Sequence, residues 1–242
     1  MRGLITVTFS LLFTISTLAD SVSLFAVADN TLYANNVDYS NGAGQHIFAG
    51  ITGDTTARRG LLRFDVASAI PAGSTITSAT LTLHMSQTPA GAQPVSLHTV
   101  TTSWGEAGSL AGSGEGSGAP AQSGDATWKY RYFNDTTWTN LGGDFNPLVS
   151  ASISVGGIGF YAWNSAQMSV DVQSWLDSPG GNFGWLLQGN ESGFPTAKRF
   201  DSRENSEPTF RPVLIVNYVP EPATITFMIG FFALSLGRTA RG

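Results

Sequence analysis

Apolar residues in this 242-residue chain recur at every second position, in short runs, and rarely at helical spacing. The clearest run is Ala79–Met85. There Ala79, Leu81, Leu83 and Met85 point one way, and Thr80, Thr82 and His84 the other. TLYANNV, GLLRFDV, PVSLHTV, ISVGGIGFYAW, FGWLLQG and RPVLIVNYV read the same way, and Gly, Pro, Asn and Ser separate them. A strand with one apolar face must bury that face, so these segments have to pair edge to edge and then stack. The expected fold is all-β, an antiparallel β-sandwich of the jelly-roll type. One stretch departs from this: in MSVDVQSWLDS, Val170, Val172, Trp175 and Leu176 can share the face of a short helical turn, which Pro179-Gly180-Gly181 ends.

The chain has no cysteine, which excludes disulfides, zinc–cysteine sites and a thiol nucleophile. Its 15 Phe, 6 Trp and 6 Tyr can fill a core instead. A net charge of −5, with no basic run, argues against a nucleic-acid partner.

Both ends read as targeting segments. Arg2, the apolar stretch Leu4–Leu18 and the small-residue site Thr17-Leu18-Ala19 form a secretory signal peptide over residues 1–19. The other end, VPEPATITFMIGFFALSLGRTARG, carries thirteen uncharged residues from Thr224 to Leu236, fewer than the roughly 20 of a full membrane span. Arg238 and Arg241 behind them fit positive-inside retention of an apolar helix during export. RPVLIVNY already closes the domain with its own alternation, so residues 219–242 read as an address. The working domain is then 20–218, with the Gly/Ser-rich stretch 105–125 as a flexible loop.

No catalytic constellation stands out. His46, His84 and His98 lack metal-ligand spacing and read as exposed side chains. GSLAGSGEGSG is no nucleophile elbow, and the separation of carboxylate pairs is not legible in a sequence. The oxygen-rich loops NNVDYSNGAG and GGDFNP offer Asp38, Asn41 and Asp144 to a Ca²⁺ ion, with plain Asx turns as the alternative. In TWKYRYFNDTTW, Trp128, Tyr130 and Tyr132 share one strand face and Trp138 follows. Such rings either stack on the C–H faces of sugars or fill the core.

Three ordered motifs carry a family resemblance. RRGLLRFDVASAIPAGSTITSATLTLHM (Arg58–Met85), VDVQSWLDSPGGNFGWLLQG (Val170–Gly189) and FDSRENSEPTFRPVLIVNY (Phe200–Tyr218) together resemble DNRLRE-type domains, which are disaggregatase-related. The resemblance spans roughly Asp29 to Tyr218. The name-giving motif is imperfect, reduced to Ser202-Arg203-Glu204, and the Gly/Ser insertion after Trp104 is a departure. The family is similar to jelly-roll carbohydrate-binding modules of secreted and surface proteins, some of which bind acidic polysaccharides. The resemblance thus implies Arg199 and Arg203 as carboxylate clamps, because guanidinium matches that geometry; Arg63-Asp65 and Arg203-Glu204 read alternatively as salt bridges at strand corners. The C-terminus resembles the PEP-CTERM sorting signal, which implies an exosortase as partner, processing near Pro220-Glu221-Pro222, and transient insertion into the inner membrane of a Gram-negative-type bacterium.

Together these readings lead to an exported, non-catalytic protein of the cell surface or extracellular matrix that binds or is embedded in polysaccharide. A matrix or adhesion protein without sugar affinity is the alternative, and a polysaccharide hydrolase or lyase the third.

Overall fold

The computed structural model describes residues 18–221 and, as backbone alone, 11–14 and 224–227. Its ten principal strands are β1 (Asp20–Tyr33), β2 (His46–Ile51), β3 (Ala57–Phe64), β4 (Thr75–Gln87), β5 (Gln93–Thr99), β6 (Ala151–Val155), β7 (Gly159–Asn164), β8 (Trp185–Gly189), β9 (Lys198–Asp201) and β10 (Val213–Val219). They pair antiparallel throughout, in the order β6-β5-β8-β3-β1-β10-β4-β9-β2. β2 also pairs with β3, which closes six strands into a ring, and β7 adds to the free edge of β4. The all-β, antiparallel expectation holds.

The ring closes because one long strand serves two walls. β1 pairs with β10 through Asp20–Phe25 and with β3 through Ala26–Tyr33. The register shifts between Ala26 and Ala28, and Val27 is left exposed on the outside. An extra residue of this kind bends a strand and strengthens its twist, which turns the sheet through the corner. β4 is shared in the same way, pairing on one edge with β10 and then with β9.

Ala79, Leu81, Leu83 and Met85 of β4 line the principal core with Leu214 and Val216 of β10, Leu62 and Phe64 of β3, and Trp163, Trp185 and Phe200. Each such aliphatic side chain withdrawn from water contributes roughly 1.5–3 kcal/mol. β3 and β8 are covered on both faces. Leu62 and Leu187 point to this core, while Leu61 and Leu186 join a second cluster with Leu32, Val100, Trp104 and Trp138. Double burial is why GLLRF and GWLLQ read as continuous apolar runs rather than clean alternation.

The helical segment is a full helix, α1 (Ala166–Asp177), capped by the Ser165 hydroxyl, which accepts from the Met168 N–H at 3.0 Å. It packs against β4. Its buried side is Met168, Asp171, Val172, Trp175 and Leu176. Val170 does not belong to that face; it lies about 200° round the helix from Val172 and is exposed. Pro179–Gly181 follows as a 3₁₀ turn.

The last long strand ends at Val219, and the Glu221 carboxylate then lies against Gly73, which takes a positive φ of 80°. Thr224–Phe227 pairs antiparallel with Leu11–Thr14. The rest of the segments read as signal peptide and sorting helix, including Pro222, Arg238 and Arg241, lies outside the described residues. Among the described residues, no helix is long and apolar enough to cross a membrane.

Candidate functional site

An open polar groove of about 570 Å³ lies beside the hairpin formed by Tyr130–Tyr132 and Thr136–Thr137. Arg131, Thr136 and Thr137 come from the hairpin, Thr101 and Thr102 from just past the end of β5, and Thr139, Asn140, Asp144 and Phe145 from the turn that follows the hairpin. Five hydroxyls, one amide, one guanidinium and one carboxylate over a single aromatic ring make a surface that can exchange hydrogen bonds with a hydroxylated ligand. Arg131 is held at the rim by Ser103, whose carbonyl and hydroxyl accept from Nη1 at 3.1 and 2.8 Å.

The turn itself is built by Asp144. Its two carboxylate oxygens accept from the N–H groups of Thr139 and Asn140, each at 2.8 Å. Burial acts to raise its pKa, but those donors outweigh burial and hold it below the ordinary carboxylate range. Gly142 has a φ of 84°, and a Cβ there would sit 2.7 Å from both Arg59 and Trp128, so only glycine fits.

The four aromatic residues singled out in the sequence do not form one free row. Trp138 is buried, its indole N–H donating to the Thr127 carbonyl at 2.8 Å, so neither of its faces is open to a sugar. Trp128 lies before the strand, half-buried under the Arg59 guanidinium at 4.8 Å. Arg59 also lies 5.4 Å from the Phe145 ring and forks onto Glu191 at 2.7 and 2.8 Å. Tyr130 and Tyr132 are half-buried, with Lys129 over one ring and Arg131 over the other. The hairpin contributes its polar residues to the groove.

The arginines divide. Arg199 lines a second groove of about 240 Å³ with Phe48, Gln87 and Thr88, and its Nε donates to Ser86. Arg203 is not a free clamp. It grips both oxygens of Glu106 at 2.9 and 3.0 Å and one of Glu204 at 2.8 Å. Of the two corner pairs, Arg203-Glu204 forms, whereas Arg63 lies over Trp104 at 5.6 Å.

The oxygen-rich loops do not converge as a cation site. Asp38 is exposed. Asn41 is spent on structure, its amide donating to the His46 carbonyl and to Glu115 and accepting from Ala111. Asp144 is occupied by its own turn.

The Gly/Ser-rich segment 105–125, read as a flexible loop, is clamped to the sheet along its length. Glu115 accepts from the backbone N–H of Gln45 and His46, the Ser109 hydroxyl accepts from Gly42, and buried Asp125 accepts from Ala107 and Gln122. Ala119–Pro120 even pairs with Tyr39–Ser40. Polar contacts do the pinning, which apolar periodicity cannot report. None of the three histidines read as exposed is so: Asp201 sits between His84 Nδ1 at 2.6 Å and His46 Nε2 at 3.4 Å, the His84 ring stacks on Phe210 at 4.0 Å, and buried His98 has its Nδ1 3.0 Å from the Asn146 carbonyl.

Beside that pair lies an acidic corner that sequence reasoning missed. Asp29 of β1, Glu106 of the clamped segment and Glu204 of the closing turn place one carboxylate oxygen each within 4.8 Å of one another. The one available signal was an aspartate inside the apolar strand FAVADNTLY. Burial, then the charge of Glu204, raises Asp29 well above the ordinary value, and burial, then Glu106, raises Glu204 to about 7. An acid raised in the fold binds its proton more tightly folded than unfolded. The stability that Glu204 contributes therefore falls as pH climbs from 4.5, the ordinary value, to about 7. We expect the urea midpoint in EDTA to drop across that window, and to drop less in Glu204→Gln.

No family model matches this chain, and none of the curated proteins matches it.

Proposed function

We propose that the protein is an exported, non-catalytic component of the cell surface or extracellular matrix that binds polysaccharide through the groove between Thr101 and Phe145. The groove's lining carries this reading: hydroxyl and amide groups around one ring, with Arg131 and Asp144 at the edge. Shallow, open, hydroxyl-rich surfaces suit a long neutral or weakly acidic chain that lies across the protein rather than inside it. Of Arg199 and Arg203, only Arg199, in its own groove, is left for a ligand carboxylate, since Arg203 is committed to Glu106 and Glu204.

On this reading the ring of six strands, with β1 turning its corner, is a jelly-roll sandwich of the carbohydrate-binding-module type. Residues 1–19 direct export, and the Val219–Gly242 tail, inserted transiently in the inner membrane, presents Pro220-Glu221-Pro222 to an exosortase of a Gram-negative-type bacterium. The motif order in the sequence supports both assignments.

The test is a polysaccharide array probed with the purified protein. Retention on at least one acidic or neutral polysaccharide is expected, and weaker retention by Arg131→Ala. Absence of binding across the array favours a matrix protein held by assembly or covalent attachment. Mass spectrometry of the mature C-terminus then shows whether that end is free or joined to another molecule.

A further inference from the structure

We propose that the corner formed by Asp29, Glu106 and Glu204 is a calcium site. It is independent of the groove and stands whether or not a polysaccharide binds there.

The geometry points to a single ion. Ca²⁺ takes oxygen ligands at about 2.3–2.6 Å, so ligands on opposite sides of it lie up to about 5 Å apart. The three carboxylate oxygens, all within 4.8 Å of one another, fit round one such ion. All three donors are carboxylates, with no imidazole or thiolate among them, which selects a hard cation over zinc or copper.

The second observation is that the corner holds acceptors with nothing to accept. Asp29 is fully buried. Its Oδ2 takes the Arg203 N–H at 2.7 Å, while its Oδ1 has no hydrogen-bond partner. Glu204 repeats the pattern, with Oε1 on Arg203 Nη2 at 2.8 Å and Oε2 buried without a partner. Buried polar atoms in folded proteins are nearly always satisfied, and two orphaned anionic oxygens in one corner call for a positive ligand. Charge agrees with this. Arg203 compensates one of the three carboxylates, and a divalent cation compensates the other two.

Arg203 also positions the site. It holds both oxygens of Glu106 and one of Glu204, in the manner of outer-shell partners that orient metal ligands. Calcium fits better than magnesium, because Mg²⁺ keeps most of its waters and needs near-ideal octahedral space, whereas this corner is crowded by protein oxygens. The ion would tie three distant segments together: the corner strand β1, the glycine-rich segment and the closing turn.

The experiment uses the purified full-length protein stripped with EDTA. Adding Ca²⁺ at about one hundred times its Kd is expected to raise Tm by on the order of 5–10 °C, and Mg²⁺ by less. Titration calorimetry should find one Ca²⁺ per chain. Tb³⁺ in its place should luminesce on tryptophan excitation, because Trp104 precedes Glu106 by two residues. Glu204→Gln, which keeps the Arg203–Glu106 pair, is expected to fold and to lose the shift and the luminescence; Asp29→Asn makes the same comparison should that variant fail to fold. A stripped wild type whose Tm is indifferent to Ca²⁺ overturns the proposal. So does a shift of equal size in the folded variant, which would put the ion elsewhere.

Discussion

Arg203→Ala is expected to cost about 3 kcal/mol or more at pH 8, a large part of the 5–15 kcal/mol that holds a typical domain together. Removing one member of a buried ion pair is worse than never having had the pair, because the desolvated partners remain. Here Glu106 would lose both its hydrogen bonds to the guanidinium, and Glu204 one. In EDTA, Asp29, Glu106 and Glu204, within 4.8 Å of one another, would then keep only the more distant charge of Arg63 near Glu106. The Arg203 side chain is 38% exposed, so water screens part of this, which places the expectation at the low end of the 3–5 kcal/mol range for such losses. Arg203→Lys should recover little, because an ammonium cannot fork onto two oxygens. The deficit should also shrink at pH 5, where the crowded acids take up protons. Urea unfolding of the three proteins at pH 5 and pH 8 measures this. Equal stability of Arg203→Lys and wild type would show that charge alone, not the fork, is what matters.

Trp185→Ala is expected to cost about 3–5 kcal/mol, by loss of buried surface and by the cavity left behind. Trp185 lies fully buried, 4.5 Å from the Trp175 ring and 6.5 Å, edge on, from Phe64. Its indole N–H donates to Asp171 Oδ2 at 2.9 Å, and Asp171 is itself buried on α1. The variant therefore empties the joint between helix and sheet and strands a carboxylate there. Trp185→Phe separates the two effects. It keeps most of the volume and loses only the hydrogen bond, for about 1–3 kcal/mol. If phenylalanine costs as much as alanine, the Asp171 bond dominates this joint rather than packing.

Why some of this was legible in the sequence and some was not follows from the physics of each element. β4 was readable residue by residue, because alternation is a local signal and a slip of one residue would expose Leu81 and Leu83. The motif RPVLIVNY gave β10 for the same reason. α1 was half legible. Its apolar period showed, but Asp171 belongs to the buried side and Val170 does not, since the face is set by what packs against it. His84 sits on the polar side of its strand and is buried by Phe160 and Phe210 all the same, because neighbours far along the chain cover it.

The sites were less legible still. TWKYRYFNDTTW drew attention to its rings, yet Trp138 closes over the second core, and it is Arg131, Thr136 and Thr137 that face the groove. Glu106 and Glu115 stood in a glycine-rich stretch without periodicity, where nothing local distinguishes a clamped loop from a free one. Asp29 and Glu106 are 77 residues apart, and only the closed ring of strands brings them together.

Retardation in native gels cast with the polysaccharide tests binding in the groove most directly. Three proteins are run side by side: wild type, Arg131→Ala, and Thr139→Trp, which places a bulky ring on an exposed groove position where a surface change should move stability by no more than about 0.5 kcal/mol. The wild type is expected to be slowed by the polysaccharide, Arg131→Ala to be slowed less, and folded Thr139→Trp to run as it does in plain gel. Equal slowing of all three, or of none, would contradict binding in the groove.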